Sequence, residues 1–371
     1  MSRFMLTPDR IIIERRPNPV YDQLFPYYVE LCATSQFRSG VKGRGGVTGH
    51  AVMYIKGACK DEQAPFPQLR RCRVAAIDLD DPEHGVTQAH FDATVREAIA
   101  KGVYQGVELH EYPTTQGTRS LEDFVRHQSI GSDLALQFAR SVFCARVPVT
   151  ERMVGEVIAF LNDKNCEYAR GEADYNWSLL ADNCVHTVRN ALAAANIWSP
   201  LSVRDVKLLH LFNLAVPANE FVNLAELGTE GNIENFRNIQ VDGPQRDALH
   251  EFGWLPTRHG ALLKTLTVHE PNDLYETRFR LFTLQSPLRM GKTRHAVELL
   301  SDERFVDLAV NLRYFRDKYN AILAGCQERS NGLASVRWTP YRRGERLYSA
   351  YIEAQRDETV TMLNRMAAEG R

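Results

Sequence analysis

The stretch Tyr175-Asn176-Trp177-Ser178-Leu179-Leu180-Ala181-Asp182-Asn183-Cys184 runs directly into Val185, Val188, Ala191, Leu192 and Ala195. Those apolar residues recur at steps of three and four, the period of one helical face. Asn is among the strongest N-cap residues, so Asn183 marks the helix start and Cys184 falls in its first turn. The helix is expected to end near Asn196, with Pro200 preventing continuation. A first-turn thiol feels the positive end of the helix dipole, beside N–H groups that lack helical partners. Both effects favour thiolate, and the same N–H groups can hold an oxyanion. The plainer alternative is a core cysteine packed as a small hydrophobe.

A nucleophilic thiol needs a base, usually histidine. Among the eleven histidines, His186 lies two residues from Cys184 on the same helix and so points to another face. His50 differs. It follows Gly49 and opens His50–Ile55 (HAVMYI), whose β-branched and aromatic bias predicts a buried strand. An imidazole there needs a polar partner, and a structural hydrogen bond is the plain alternative to a catalytic one.

Outward from these two segments the pattern is mixed. An apolar run at Tyr27–Ala33 precedes a glycine-rich loop, Gly40–Gly46. Strands are expected at Arg73–Leu79 (RVAAIDL) and Arg146–Val149, a helix at Ala89–Ala100, and an extended segment at Val103–Tyr112. Thr150 is placed to cap a helix carrying Val154, Val157, Ile158 and Leu161. Beyond about residue 225 the texture becomes helical. Phe305, Leu308, Leu312, Phe315, Tyr319 and Ile322 form the clearest stripe. The expected division is a catalytic α+β unit at 1–230 and a mainly helical region at 231–371.

Composition narrows the classes. The chain has 371 residues, 44% of them hydrophobic, which is globular rather than disordered. Lys+Arg 45 against Asp+Glu 46 gives a net charge of −1, which argues against a protein built to grip nucleic acid or an anionic membrane. No run approaches the ~20 apolar residues of a membrane span. The first nineteen residues offer no apolar run longer than three residues, such as Ile11–Ile13, too short for a signal-peptide core. The chain is therefore expected in the cytoplasm as synthesised, unless a non-classical route exports it. Seven cysteines, odd in number and scattered without a CxxC, argue against a disulfide framework or a structural zinc site. Neither a cofactor nor a metal is expected.

Together, Gly49-His50-Ala51-Val52-Met53-Tyr54 and the downstream tyrosine-rich approach to Asn183-Cys184 resemble a circularly permuted papain-like hydrolase of the NlpC-type superfamily. The closest likeness is to the Lnb-like N-terminal periplasmic domain family, over about residues 25–200. The resemblance implies an antiparallel sheet with packed helices, Cys184 as nucleophile and His50 as base. Superfamily members usually orient the imidazole with a polar residue on the next strand, which makes Asp78 the first candidate, with Glu108 and His110 as alternatives. A solvated strand-end carboxylate within Asp78-Leu79-Asp80-Asp81 is the plain alternative. Two departures stand out: the missing export signal, and the tail of roughly 145 residues beyond about residue 225, which has no part in the likeness.

The resemblance implies cleavage of an amide or peptide bond through an acyl-enzyme, with peptidoglycan peptides as one candidate substrate. It also admits a thiol acyltransferase or lipid esterase. A rival from another class is a non-catalytic binding or scaffold protein that keeps the fold. The expected ligand is a small peptide, amide or acyl compound; no protein partner is indicated. Other motifs carry less. Asp78-Leu79-Asp80 imitates a phosphotransferase D-x-D without its later motifs, and Gly291-Lys292-Thr293 lacks the first glycine of a P-loop. The Gly40–Gly46 loop precedes a strand rather than a helix, and His84 with His90 has no compelling third ligand.

Overall fold

The computed structural model describes residues 25–34, 50–60, 68–71, 111–114, 117–120, 142–172, 183–197, 216–230, 233–255, 260–266, 298–332, 339–368 and 370. The protein is α+β, mostly helical, around a small antiparallel sheet. Four strands form that sheet: β1 (Tyr28–Thr34), β2 (His50–Lys56), β7 (Val142–Pro148) and β8 (Leu262–Leu266), in the order β2-β1-β7-β8. Two hairpin-like pairs stand apart from it, β3 (Ala58–Lys60) with β4 (Leu69–Arg71) and β5 (Glu111–Thr114) with β6 (Gly117–Ser120).

Side-chain alternation splits β1 into two sets. Val29, Leu31 and Ala33 lie on the helix-covered face with Ala51, Met53 and Ile55 of β2, Phe143, Ala145 and Val147 of β7, and Leu263 of β8, all in the main core. The opposite set carries Tyr28, Glu30 and Cys32 against Arg146 and Cys144, and these are buried too. A buried carboxylate needs charged partners. Glu30 has two, Arg146 Nη2 at 3.1 Å from the neighbouring strand and Lys264 Nζ at 2.7 Å from β8. The Arg146 guanidinium also lies 4.4 Å from the centre of the Tyr28 ring. Removing one partner of such a buried pair costs about 3–5 kcal/mol, because the other charge is stranded.

The helices follow from their caps and apolar stripes. Thr150 Oγ1 accepts the Met153 N–H at 3.4 Å and starts α1 (Glu151–Ala169), which buries Met153, Val154, Val157, Ile158 and Leu161. α2 (Cys184–Ala194) buries Val185, Val188, Ala191 and Leu192 and packs on β2 and α1. α3 (Pro217–Glu230) has proline in its first turn and lies across β1 and β7. Two shorter helices follow, α4 (Phe236–Val241) and α5 (Gly243–Phe252), the second capped by Asp242 and ended by Gly253 at φ 70°. α6 (Glu303–Val306), α7 (Leu308–Gly332) and α8 (Thr339–Ala368) complete the chain, with α7 and α8 packed together.

The helical stripe expected near the C-terminus is present. Phe305, Leu308, Leu312, Phe315, Tyr319 and Ile322 are all buried, although a break at Asp307 places Phe305 on α6 and the rest on α7. β7 begins four residues earlier than the expected Arg146–Val149 strand. β8 comes from beyond residue 231 and completes the sheet begun by residues before it, so the sheet draws on both sides of the expected 230/231 boundary. The expected elements at Arg73–Leu79 and Ala89–Ala100 lie outside the described residues, as does all of Val103–Tyr112 except its last two positions, which begin β5. Among the described residues no helix is long and apolar enough to cross a membrane.

Gly228 is where α3 comes closest to the sheet. A Cβ there would stand 2.6 Å from Ala261 Cβ and 3.1 Å from Val147 Cγ2. Both are buried, so neither can swing aside. Gly228→Ala is expected to lower stability by about 1–3 kcal/mol, the usual range for overpacking. A urea unfolding curve checks this, and an unchanged midpoint would show that α3 sits further from the sheet.

Candidate active site

The site is built at the start of α2. Asn183 has extended backbone (φ −156°, ψ 179°), and its side-chain oxygen accepts the Val185 N–H at 2.9 Å and the His186 N–H at 3.2 Å. This is the expected N-cap, and it fixes where the first turn begins. Cys184 follows immediately and packs against the main core, keeping partial exposure as a residue. The backbone N–H groups of Ala51, Val185 and Cys184 itself lie near its sulfur and favour the thiolate.

The Ala51 contact joins the two segments singled out in the sequence. Ala51 is the second residue of β2, next to His50, which opens the strand opposite Thr34. The backbone at the start of β2 therefore meets the thiol at the start of α2. The His50 side chain lies outside the described residues. So do Asp78, Glu108 and His110, together with His84, His90, the Gly40–Gly46 loop and Gly291–Thr293.

The state of the thiol differs from expectation. Helix position and N–H donors predict a depressed pKa, yet burial pushes the Cys184 thiol up to about 11. The three donors pull downward, but desolvation of the sulfur outweighs them. Cys184 keeps partial exposure as a residue while packing against the main core, and the protein atoms around its sulfur supply the desolvation. At neutral pH the resting side chain is a thiol.

Two features of the site were not expected from the sequence. One is the Ala51 N–H near the sulfur. The other is the Arg189–Glu220 pair, at 2.6 Å between side chains only 5% and 0% exposed, which bolts α2 to α3. A sequence signal for it did exist: Arg189 interrupts an apolar helix, and Glu220 sits in a helix first turn, where a carboxylate is favoured. His186, expected on another face from Cys184, is buried.

A separate cluster brings together metal-ligand types. Ligand atoms of Glu30, Cys32 and Cys144 lie within 4.8 Å of one another. Arg146 and Lys264 already neutralise the Glu30 carboxylate, so the cluster carries its own two cations and is a poor host for a third.

Compared with family models, with curated proteins and with solved structures, the chain matches none.

Alkylation of Cys184 by iodoacetamide in the folded chain is expected to be slow at pH 7. Only thiolate reacts, and its fraction rises about tenfold per pH unit below the pKa. The rate should therefore still be climbing at pH 10, and a plateau below pH 8 would show a depressed thiol instead. Asn183→Ala should cost about 1 kcal/mol through loss of the cap, measured by chemical denaturation.

Proposed function

We propose that the chain is a cysteine-dependent hydrolase with a permuted papain-like core, in which Cys184 is the nucleophile and His50 its base. The observation that carries this is the convergence on one sulfur of a capped helix N-terminus and the strand that begins with His50. The chain order, histidine strand before cysteine helix, is the order of the permuted superfamily.

The neutral resting thiol shapes the mechanism. Because Cys184 is protonated at rest, His50 must remove the proton as the sulfur attacks the acyl carbon. The S–H bond breaks, a C–S bond forms, and the imidazolium then passes the proton to the leaving nitrogen. Water, activated by the same imidazole, attacks the thioester, releasing the acid and restoring the thiol. The Val185 and His186 N–H groups are engaged by Asn183, so the Cys184 and Ala51 N–H groups near the sulfur are the proposed donors to an oxyanion. Asp78 is the proposed orienting partner of His50. The proposed bond is an amide or peptide bond, of the kind found in peptidoglycan stem peptides. An alcohol, amine or lipid ester would serve the same chemistry as acceptor or substrate.

The raised thiol pKa favours a second account, a non-catalytic protein that keeps the fold with Cys184 as core packing. The two differ in whether an acyl group can be loaded. Incubation with p-nitrophenyl acetate and mapping of the adduct by mass spectrometry is expected to place the acetyl group on Cys184. Cys184→Ala should abolish the adduct, and His50→Ala should slow its formation by about 10²–10⁴-fold, the usual weight of a general base. Equal acylation rates in wild type and His50→Ala would favour the non-catalytic account.

A further inference from the structure

Cys32 and Cys144 stand directly opposite each other on β1 and β7. We infer that they are a disulfide-forming pair, joined by a small disulfide oxidant such as glutathione disulfide into a cross-strand bond through the middle of the sheet. Register carries the inference first. Directly opposed residues on antiparallel strands have Cα atoms about 4.5 or 5.5 Å apart, and both spacings fall inside the range a disulfide spans. Side-chain direction carries it second, because both thiols point to the same face and their sulfurs lie 2.7 Å apart. Unbonded sulfurs do not pack so closely.

The same distance separates this pair from a metal site. Two thiolates on one zinc, each about 2.3 Å from the ion with tetrahedral angles, hold their sulfurs about 3.8 Å apart. Glu30, the third member of the cluster, is already held by Arg146 and Lys264. Lys264 also stands opposite Cys144 on the other side of β7. The neighbourhood is thus charge-compensated without an ion.

The step balances as thiol–disulfide exchange. One protein thiolate attacks glutathione disulfide and expels one glutathione thiolate. The second protein thiolate attacks the mixed disulfide and expels the other. Two protein thiols and one glutathione disulfide become one protein disulfide and two glutathione thiols. Cys32 and Cys144 are 4% and 0% exposed, so exchange needs a transient opening of the sheet. The closed sheet then shields the bond from reductant. Cys166 and Cys184 keep partial exposure and lie on α1 and α2, outside the sheet. A single pair of this kind is compatible with the scattered cysteine spacing that argues against a disulfide framework.

The test uses the purified full chain, equilibrated with excess glutathione disulfide in sub-denaturing urea until its free-thiol count stops changing. Free thiols are then blocked with N-ethylmaleimide in denaturant, and peptides are mapped without reduction. The expected product is a peptide pair linked through Cys32 and Cys144. After removal of urea that link should resist dithiothreitol that readily reduces glutathione mixed disulfides on exposed cysteines. The oxidised chain should also melt at a higher temperature than the reduced chain, while Cys144→Ala melts at the same temperature under both conditions. Maleimide on both Cys32 and Cys144 would overturn the inference, as would a link from either to another cysteine. So would zinc that protects both thiols and is released by chelator.

Discussion

Strand β1 is paired along all seven of its residues on both sides, to β2 and to β7. This double register is the constraint on which the rest depends. A slip of one residue would turn Val29, Leu31 and Ala33 away from the helices and drive Glu30 into the apolar core. Glu30 opposes such a slip directly, because only the observed register lets its carboxylate meet both Arg146 and Lys264. The same register sets His50 opposite Thr34 and Cys32 opposite Cys144. Candidate catalytic and redox groups therefore inherit their positions from one strand.

The thiol site shows how local and tertiary effects compete. Asn183 and the free end of α2 are local, and they act on Cys184 as the sequence implies. Burial against β2 is tertiary, and it decides the sign of the shift. The helix terminus contributes roughly half a charge, and its effect fades within a turn. Desolvation acts on the whole thiolate charge. A hydrolase built this way keeps its nucleophile protonated and inert until a base removes the proton, which places the burden of activation on the residue beside Ala51.

Much of this was legible in the sequence where the signal is local. The α2 cap and its buried face, the HAVMYI strand, the Thr150 cap and the C-terminal stripe all depend on residues within one or two turns of each other, and all are present. The early part of β7, Val142–Ala145, was missed because four residues without a flanking turn signal carry too little pattern to mark a strand, and its pairing with β1 lies far away in sequence. β8, with the sequence LLKTL, is short and carries a lysine, and its membership of the sheet depends on Glu30, far away in sequence. The Cys32–Cys144 pair is likewise invisible without register, and Arg189 and Glu220, each marked by its position in a helix, are joined only by packing. Sequence spacing locates Cys184 correctly but carries no information about the desolvation of its sulfur.

The central claim is that the Cys184 sulfur and the His50 imidazole share one site. The most direct measurement is cross-linking with 1,3-dibromoacetone, a three-carbon reagent that alkylates a thiol and then any imidazole within its short reach. Run at a pH high enough to alkylate the buried thiol and followed by peptide mapping, it should yield one intramolecular bridge between Cys184 and His50. Cys184 alkylated at one end only, or bridged to a different histidine, would contradict the shared site.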